Sequence, residues 1–464
     1  MKRISPASRA VYLSTWMRRA RGSRRFAVEN RSPRPQVSVM RCNTRQQTKS
    51  LLKGMSCLLI ATALAVQSIA CPLCSAPSQT WAEMLTEADV VLLGQLISNN
   101  EGSPQTAPFS LVKVIQVHKG EKLLPADKLV RIEEYIFAEQ GNLVLLKGRL
   151  QDSNAPEFTD TFANEFPAKT IQKVSATEAP ESAKKVLKWD FHEQCTQAGF
   201  EYVIAAPPLD KDASTRLKYF IPYLEHSDPL VATDAWGEFA NAEYKDIKRT
   251  SESFSAANLR NWIADPDAEP ERRGLYGLML GMCGTPADAE FLRQQIGQPD
   301  PKALRFGTEG LMGGLLVLSP VKGLQFLESS RLNNEKATAF DLFPVIKALQ
   351  FAWTYESESF EKERLRSALR PLLKREELRE IVIPDLSRWE DWNAALLMSD
   401  VYQASRADDP RTVHAIANFL VLCKQSTPEG TERMENAVVA SELLEVIRKD
   451  NARLVQMAET EFAE

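Results

Sequence analysis

At 464 residues the chain exceeds what one hydrophobic core organises, so two or more domains are expected. With 44% hydrophobic and 25% charged residues it is globular, and the formal net charge of −4 conceals an asymmetry. Residues 1–54 carry fourteen Lys or Arg and one acid, Glu29, which leaves 43 basic against 60 acidic residues beyond them, a net of −17. A surface of that sign repels phosphate backbones and excludes nucleic acid as the expected partner.

The basic head, 1–54, is low in complexity and reads as disordered; within it 1–39 reads as an overextended gene start, with translation beginning at Met40. Its run RRARGSRR at 18–25 lies too far from the apolar stretch to act as a twin-arginine export signal. From Met40 the order is that of a signal sequence. Arg41, Arg45, Lys49 and Lys53 give the positive region, 55–66 the apolar core, and Ser68-Ile69-Ala70 the small–x–small cleavage site. Residues 55–70 are therefore expected to be removed, and an exported, periplasmic or secreted protein to begin at Cys71. The apolar run is shorter than the roughly 20 residues of a membrane span, so none is expected after cleavage. Lipid anchoring at Cys71 is the alternative, although Ser68 stands where lipoprotein signals carry an apolar residue.

Residues 71–206 show a β pattern. DVVLLGQLIS (89–98) reads as a nearly continuous buried strand, and FSLVKVIQVHKG (109–120) alternates through its centre before a Lys119-Gly120 turn. KLVRIEEYIF (128–137), NLVLLKGRL (142–150) and FEYVIAAP (200–207) supply three more strands, with a polar, proline-bearing loop over 151–185. Five short strands predict a small barrel or sandwich.

Pro207-Pro208 opens a linker, 207–213, after which the period is helical through 214–464. Asp-Pro pairs, which favour helix starts, end at Pro229, Pro266, Pro301 and Pro410. The first two intervals are 37 and 35 residues and the third, 109, is close to three times 36; the skipped positions fall at breaks near 333–335 and 374–376. Helix pairs at a mid-thirties period predict an α-solenoid. The segment LEHSDPLVATDAWGEFA resembles a HEAT repeat, although Val231-Ala232 stand where such units carry an arginine. The fold class expected is multidomain α+β: a small OB-like barrel followed by an all-α HEAT-like solenoid.

Standard catalytic signatures are missing: no Gly-x-Ser-x-Gly, no His-Glu-x-x-His, no Gly-Lys pair for a phosphate loop. The expectation is a non-enzymatic protein that presents its repeats to a protein partner, with no cofactor. One cluster carries chemical potential. Cys71-Pro72-Leu73-Cys74 offers two thiols, and His192-Glu193-Gln194-Cys195 an imidazole and a third. In an oxidising compartment Cys195 would pair with Cys71 or Cys74. Alternatively Cys71, Cys74, His192 and Cys195 would suit tetrahedral zinc, or Cys-Pro-x-Cys a thiol-redox site. Cys283 and Cys423, in apolar helical contexts, read as unpaired core residues.

The N-terminal cysteines, then Ala88-Asp89-Val90-Val91 opening a strand, then a strand ending Lys119-Gly120, resemble the netrin/TIMP module, an OB-like five-stranded barrel. That resemblance implies N-terminal cysteines bonded to later strands and, by analogy with its inhibitor members, a first cysteine whose amine and carbonyl cap a protease zinc. Those members carry Cys-x-Cys, whereas this chain has Cys-x-x-Cys. The whole also resembles uncharacterised secreted bacterial proteins of this layout, a likeness that assigns no activity. In the helical half, Trp389-Glu390-Asp391-Trp392 reads as core, Gly274, Gly277, Gly281 and Gly284 as a close helix contact, and Leu315-Leu316-Val317-Leu318 as a helix interior.

Overall fold

The computed structural model describes residues 73, 79–102, 107–125, 128–152, 185–298, 307–405, 409–426 and 431–462. The head, the signal core, its cleavage site, Cys71 and Cys74 lie outside them, as does most of the 151–185 loop. The architecture is a nearly closed antiparallel β-barrel followed by a HEAT-like helical region.

Five strands, β1 (Val90–Asn100), β2 (Phe109–Lys119), β3 (Leu129–Ile132), β4 (Leu143–Asp152) and β5 (Lys185–Gln194), pair in the order β3-β2-β1-β4-β5. Why β1 lacks alternation is visible in its burial. Val90, Leu92 and Leu96 fill the barrel with Val112, Val114, Val130, Ile132, Val144 and Leu146. Val91 and Leu93 on the opposite face, with Leu145 of β4, belong to the core of the helices. A strand covered on both faces is apolar at every position. Gly94 sits where a Cβ would overlap Val112, and the β1–β2 register shifts there. Gly120 ends β2 at φ +82°, a conformation that suits glycine.

Two strand expectations are corrected. The third strand stops at Ile132, not 137, because side chains intercept the backbone beyond it. Ser110 Oγ accepts the Ile136 N–H (2.9 Å) and Asn99 Nδ2 donates to the Ile136 carbonyl (2.8 Å), which turns Ile136 into the barrel. The stretch expected as a strand over 200–207 is instead helical through Ala205. The last strand is β5, and Thr196 then caps a helix by accepting the Gly199 N–H at 2.9 Å. Phe200, Val203 and Ile204, spaced three and four apart, lie on its inner face.

The helices run α1 (Trp81–Glu87) before the barrel, then α2 (Gln197–Ala205), α3 (Ala213–Phe220), α4 (Pro229–Asn241), α5 (Tyr244–Arg249), α6 (Ala256–Ala264), α7 (Pro270–Cys283) and α8 (Pro286–Gly297). They continue with α9 (Thr308–Leu318), α10 (Pro320–Leu327), α11 (Ala339–Tyr355), α12 (Lys362–Leu369), α13 (Arg379–Arg388), α14 (Ala395–Ser405), α15 (Pro410–Gln425), α16 (Thr431–Asp450) and α17 (Ala452–Glu461). None of the described helices is long and apolar enough to cross a membrane. Asp228-Pro229 and Asp409-Pro410 start α4 and α15, each aspartate accepting a first-turn N–H. Asp265-Pro266 does not start a helix. Asp265 closes α6 and its carboxylate accepts the Asp267 N–H (2.9 Å), so α7 begins only at Pro270. Asp300-Pro301 lies outside the described residues.

Contacts between successive units recur at the expected offset. Arg331 donates to the Ile296 carbonyl 35 residues back, Arg364 pairs with Glu328 36 back, and Gln350 reaches Asp385 35 ahead. Trp353 stacks on Trp389 at 4.6 Å between ring centroids. The offset widens to 43 at the Asn393–Asn436 bond. One contact departs from neighbour-only stacking: Tyr244 and Lys248 of α5 both donate to buried Glu356, 112 and 108 residues away, at 2.6 Å. Trp389 is buried and Trp392 packs on Phe419, so both are core. Leu315 and Leu316 are buried, while Val317 and Leu318 lie half-buried at the helix end. Gly274, Gly277 and Gly281 of α7 meet Gly307, Gly310, Leu311 and Gly314 backbone to backbone.

Candidate functional site

The cysteine corner forms where β5 hands over to α2. The Cys195 N–H donates to the Leu143 carbonyl (3.0 Å), extending the β4–β5 ladder by one bond. Its side chain turns into the helical core, 6% exposed, and Sγ–H donates to the Thr196 carbonyl at 3.2 Å. Thr196 Oγ1 donates to Asp228 Oδ2 (2.6 Å), while Asp228 Oδ1 accepts the Leu230 N–H (3.0 Å). One carboxylate thus holds the caps of α2 and α4 together. Gly199 makes room, since a Cβ there would stand 3.2 Å from Cys195 Sγ.

Burial first, and then the negative charges of Asp228 and Glu193, push the Cys195 thiol up to about 12. A thiol held neutral is a weak nucleophile and a reluctant metal ligand. Cys195 stands as a free thiol in this structure, as do Cys283, half-buried, and Cys423, buried. His192 lies on β5 opposite Leu146. Cys71 and Cys74 fall outside the described residues, so of the proposed set only Cys195 and the strand position of His192 are described. Among the described residues no group of three or more His, Cys, Asp or Glu is placed to hold a metal ion.

The residue between those two cysteines is described. Leu73, 6% exposed, belongs to the helical core. It packs on Gly313 of α9, where a Cβ would overlap Leu73 Cδ1 and would lie 3.5 Å from Phe351 of α11. Further along, Thr80 and Glu83 form a capping box that starts α1. The Trp81 N–H donates to Asp234 Oδ1 and the Tyr202 hydroxyl to Asp234 Oδ2, both at 2.8 Å. Arg216 pairs with Glu238, one turn along α4 from Asp234, at 2.7 Å. Burial pushes both carboxyl groups above the ordinary carboxylate range, against the opposing pull of these donors. Sequence reasoning passed over this node. Its signal was two acids four apart, Asp234 and Glu238, inside the otherwise apolar VATDAWGEFA.

No protein-family model matches the chain, and no curated protein matches it.

Proposed function

We propose that this is an exported, non-enzymatic binding or scaffold protein whose helical repeats are presented to a protein partner. The observation that carries the reading is the recurrence of unit-to-unit contacts at 35 and 36 residues, the stacking from which repeat proteins build long binding surfaces. The order of charge, apolar core and small residues before Cys71 supports export. Exposed apolar side chains on the helices, Val321 at 68% and Phe340 at 75%, supply contact points. The test is to isolate the full chain from its compartment after mild cross-linking, alongside Phe340→Asp and Val321→Asp variants. A stoichiometric protein partner that either variant loses supports the reading; a chain recovered alone under all conditions refutes it.

The nearly closed five-stranded barrel supports, beside this, the netrin/TIMP-like reading of residues 71–206. With it goes a disulfide from Cys195 to Cys71 or Cys74, tying the mature N-terminus to the end of β5. Intact mass before and after reduction tests the bond. Zinc recovered in stoichiometric amount would favour the Cys71, Cys74, His192, Cys195 set instead, and a redox-active Cys71–Cys74 pair the thiol-redox alternative.

A further inference from the structure

The strands β2 and β3 carry an outward face that neither hydrophobic core covers. Ser110, Val112 and Val114 of β2, with Val130 and Ile132 of β3, are buried toward the barrel. The alternate positions Phe109, Leu111, Lys113, Ile115, Leu129 and Arg131 therefore face out. The register sets Leu111 opposite Arg131 and Lys113 opposite Leu129, so these side chains form one patch. A sheet face that meets water carries polar residues at such positions, whereas here four of the six are apolar. Ile115 is 47% and Leu129 44% exposed, Phe109 and Leu111 are half-buried, and none of the four belongs to either core. The opposite case is Val91, Leu93 and Leu145 of β1 and β4, which belong to the core of the helices.

Charge sets the same face apart. Residues 109–132 carry five Lys or Arg against two acids, a net of +3, in a chain whose net beyond residue 54 is −17. Arg131 lies over the Phe109 ring at 3.9 Å and pairs with Glu133 at 2.9 Å, an exposed pair of little strength. Lys113 is exposed, and among the described residues its ammonium has no ion pair or hydrogen bond. Cationic side chains rooted in an apolar face lay their stems on it and hold their charges at its rim, as bilayer-surface elements do.

We propose that the outward face of β2 and β3 docks on a bilayer surface bearing anionic lipid. Phe109, Leu111, Ile115 and Leu129 meet the acyl boundary, and Lys113 and Arg131 meet the headgroup phosphates. The acidic remainder of the chain is repelled by the same lipid, so this face alone sets the orientation. The inference goes beyond the scaffold reading and does not depend on it.

The probe is vesicles of phosphatidylcholine with about one-third phosphatidylglycerol, sedimented with the chain as isolated after export. Partition into them should exceed partition into pure phosphatidylcholine at least about tenfold, and should fall as salt rises. Lys113→Glu, and Ile115→Asp with Leu129→Asp, should each lower it at least about fivefold, while Val321→Asp on α10 leaves it unchanged. No preference for the anionic vesicles overturns the proposal. Binding that survives both barrel changes overturns it too, since attachment then lies elsewhere, the basic head included. In the cell, a photoreactive residue at Ile115 should label lipid. A discrete protein adduct there instead reassigns the face to an acidic protein and contradicts membrane docking. Should a barrel variant fail to fold, that labelling, made without any charge change, decides by itself.

Discussion

Replacing Gly277 by alanine should destabilise the helical half, although alanine is the better helix former. A Cβ at 277 would stand 2.7 Å from Leu311 Cα and 2.9 Å from its N, both backbone atoms of α9 that cannot rotate away. Ordinary contact requires nearer 3.5–4.0 Å, so α7 and α9 must separate by roughly 1 Å. Overpacking of this kind costs about 1–3 kcal/mol, and opening the Gly274–Gly307 and Gly281–Gly314 contacts forfeits further dispersion energy. Helix propensity returns at most about 1 kcal/mol, leaving a net loss of up to about 2 kcal/mol before the forfeited dispersion is added. Gly297, at the end of α8, is the control. Nothing lies within 4 Å of its absent Cβ and its φ is not positive, so Gly297→Ala should gain about 0.5–1 kcal/mol. Urea unfolding followed by circular dichroism reads both. If Gly277→Ala unfolds at the same urea concentration as Gly297→Ala or higher, the backbone-to-backbone crossing is wrong.

Asp234→Asn keeps an acceptor for the Trp81 N–H and a donor for the Tyr202 oxygen while removing a buried charge. Because folding raises the Asp234 pKa, its favourable contribution is full below the ordinary carboxylate value and lost as pH rises through the raised one. The variant should therefore be at least as stable as the parent at neutral pH, with its advantage shrinking as pH falls; an advantage that grows in acid contradicts this. Asp391→Ala strips the buried carboxylate from Arg370, which keeps Glu363 at 2.7 Å, and should cost about 1–3 kcal/mol in urea unfolding. Arg411→Ala, which breaks an exposed pair with Glu380 at 3.6 Å, should cost under about 1 kcal/mol. Alkylation of Cys195 in the folded chain should stay slow and keep accelerating with pH, since the thiol is pushed up to about 12. A plateau in the range of an ordinary thiol contradicts its burial, and labelling only after reduction signals the proposed disulfide.

How much of this was legible in the sequence differs by element. The first two strands and the fourth were readable because one or both faces are covered by apolar partners, which leaves the run Val90–Leu93 and the alternation of Val112 and Val114 about Lys113. The fifth strand was missed because KVLKWDFHEQ borders a polar stretch, and its role went to FEYVIAAP, a run too short for periodicity to separate strand from helix. What decides there is a cap: Thr196, bound to Asp228 thirty-two residues away, a partner that local pattern does not reveal. Asp-Pro spacing gave the period of the units but not each start, since Asp265 closes a turn with the same hydrogen-bonding habit that lets Asp228 open a helix. At the candidate site, Cys195 was singled out for its chemistry. Leu73 passed unnoticed as filler between two cysteines, because Gly313, on which it packs, lies 240 residues further on.

The claim that the repeats are a binding surface is tested most directly by site-specific photocross-linking in the living cell. A photoreactive residue placed at Val321, Phe340 or Leu396 on the helices should yield discrete adducts of one and the same protein partner. Phe137 on the barrel, 90% exposed, should yield none. Adducts from Phe137 alone, or diffuse labelling from every position, would contradict the account.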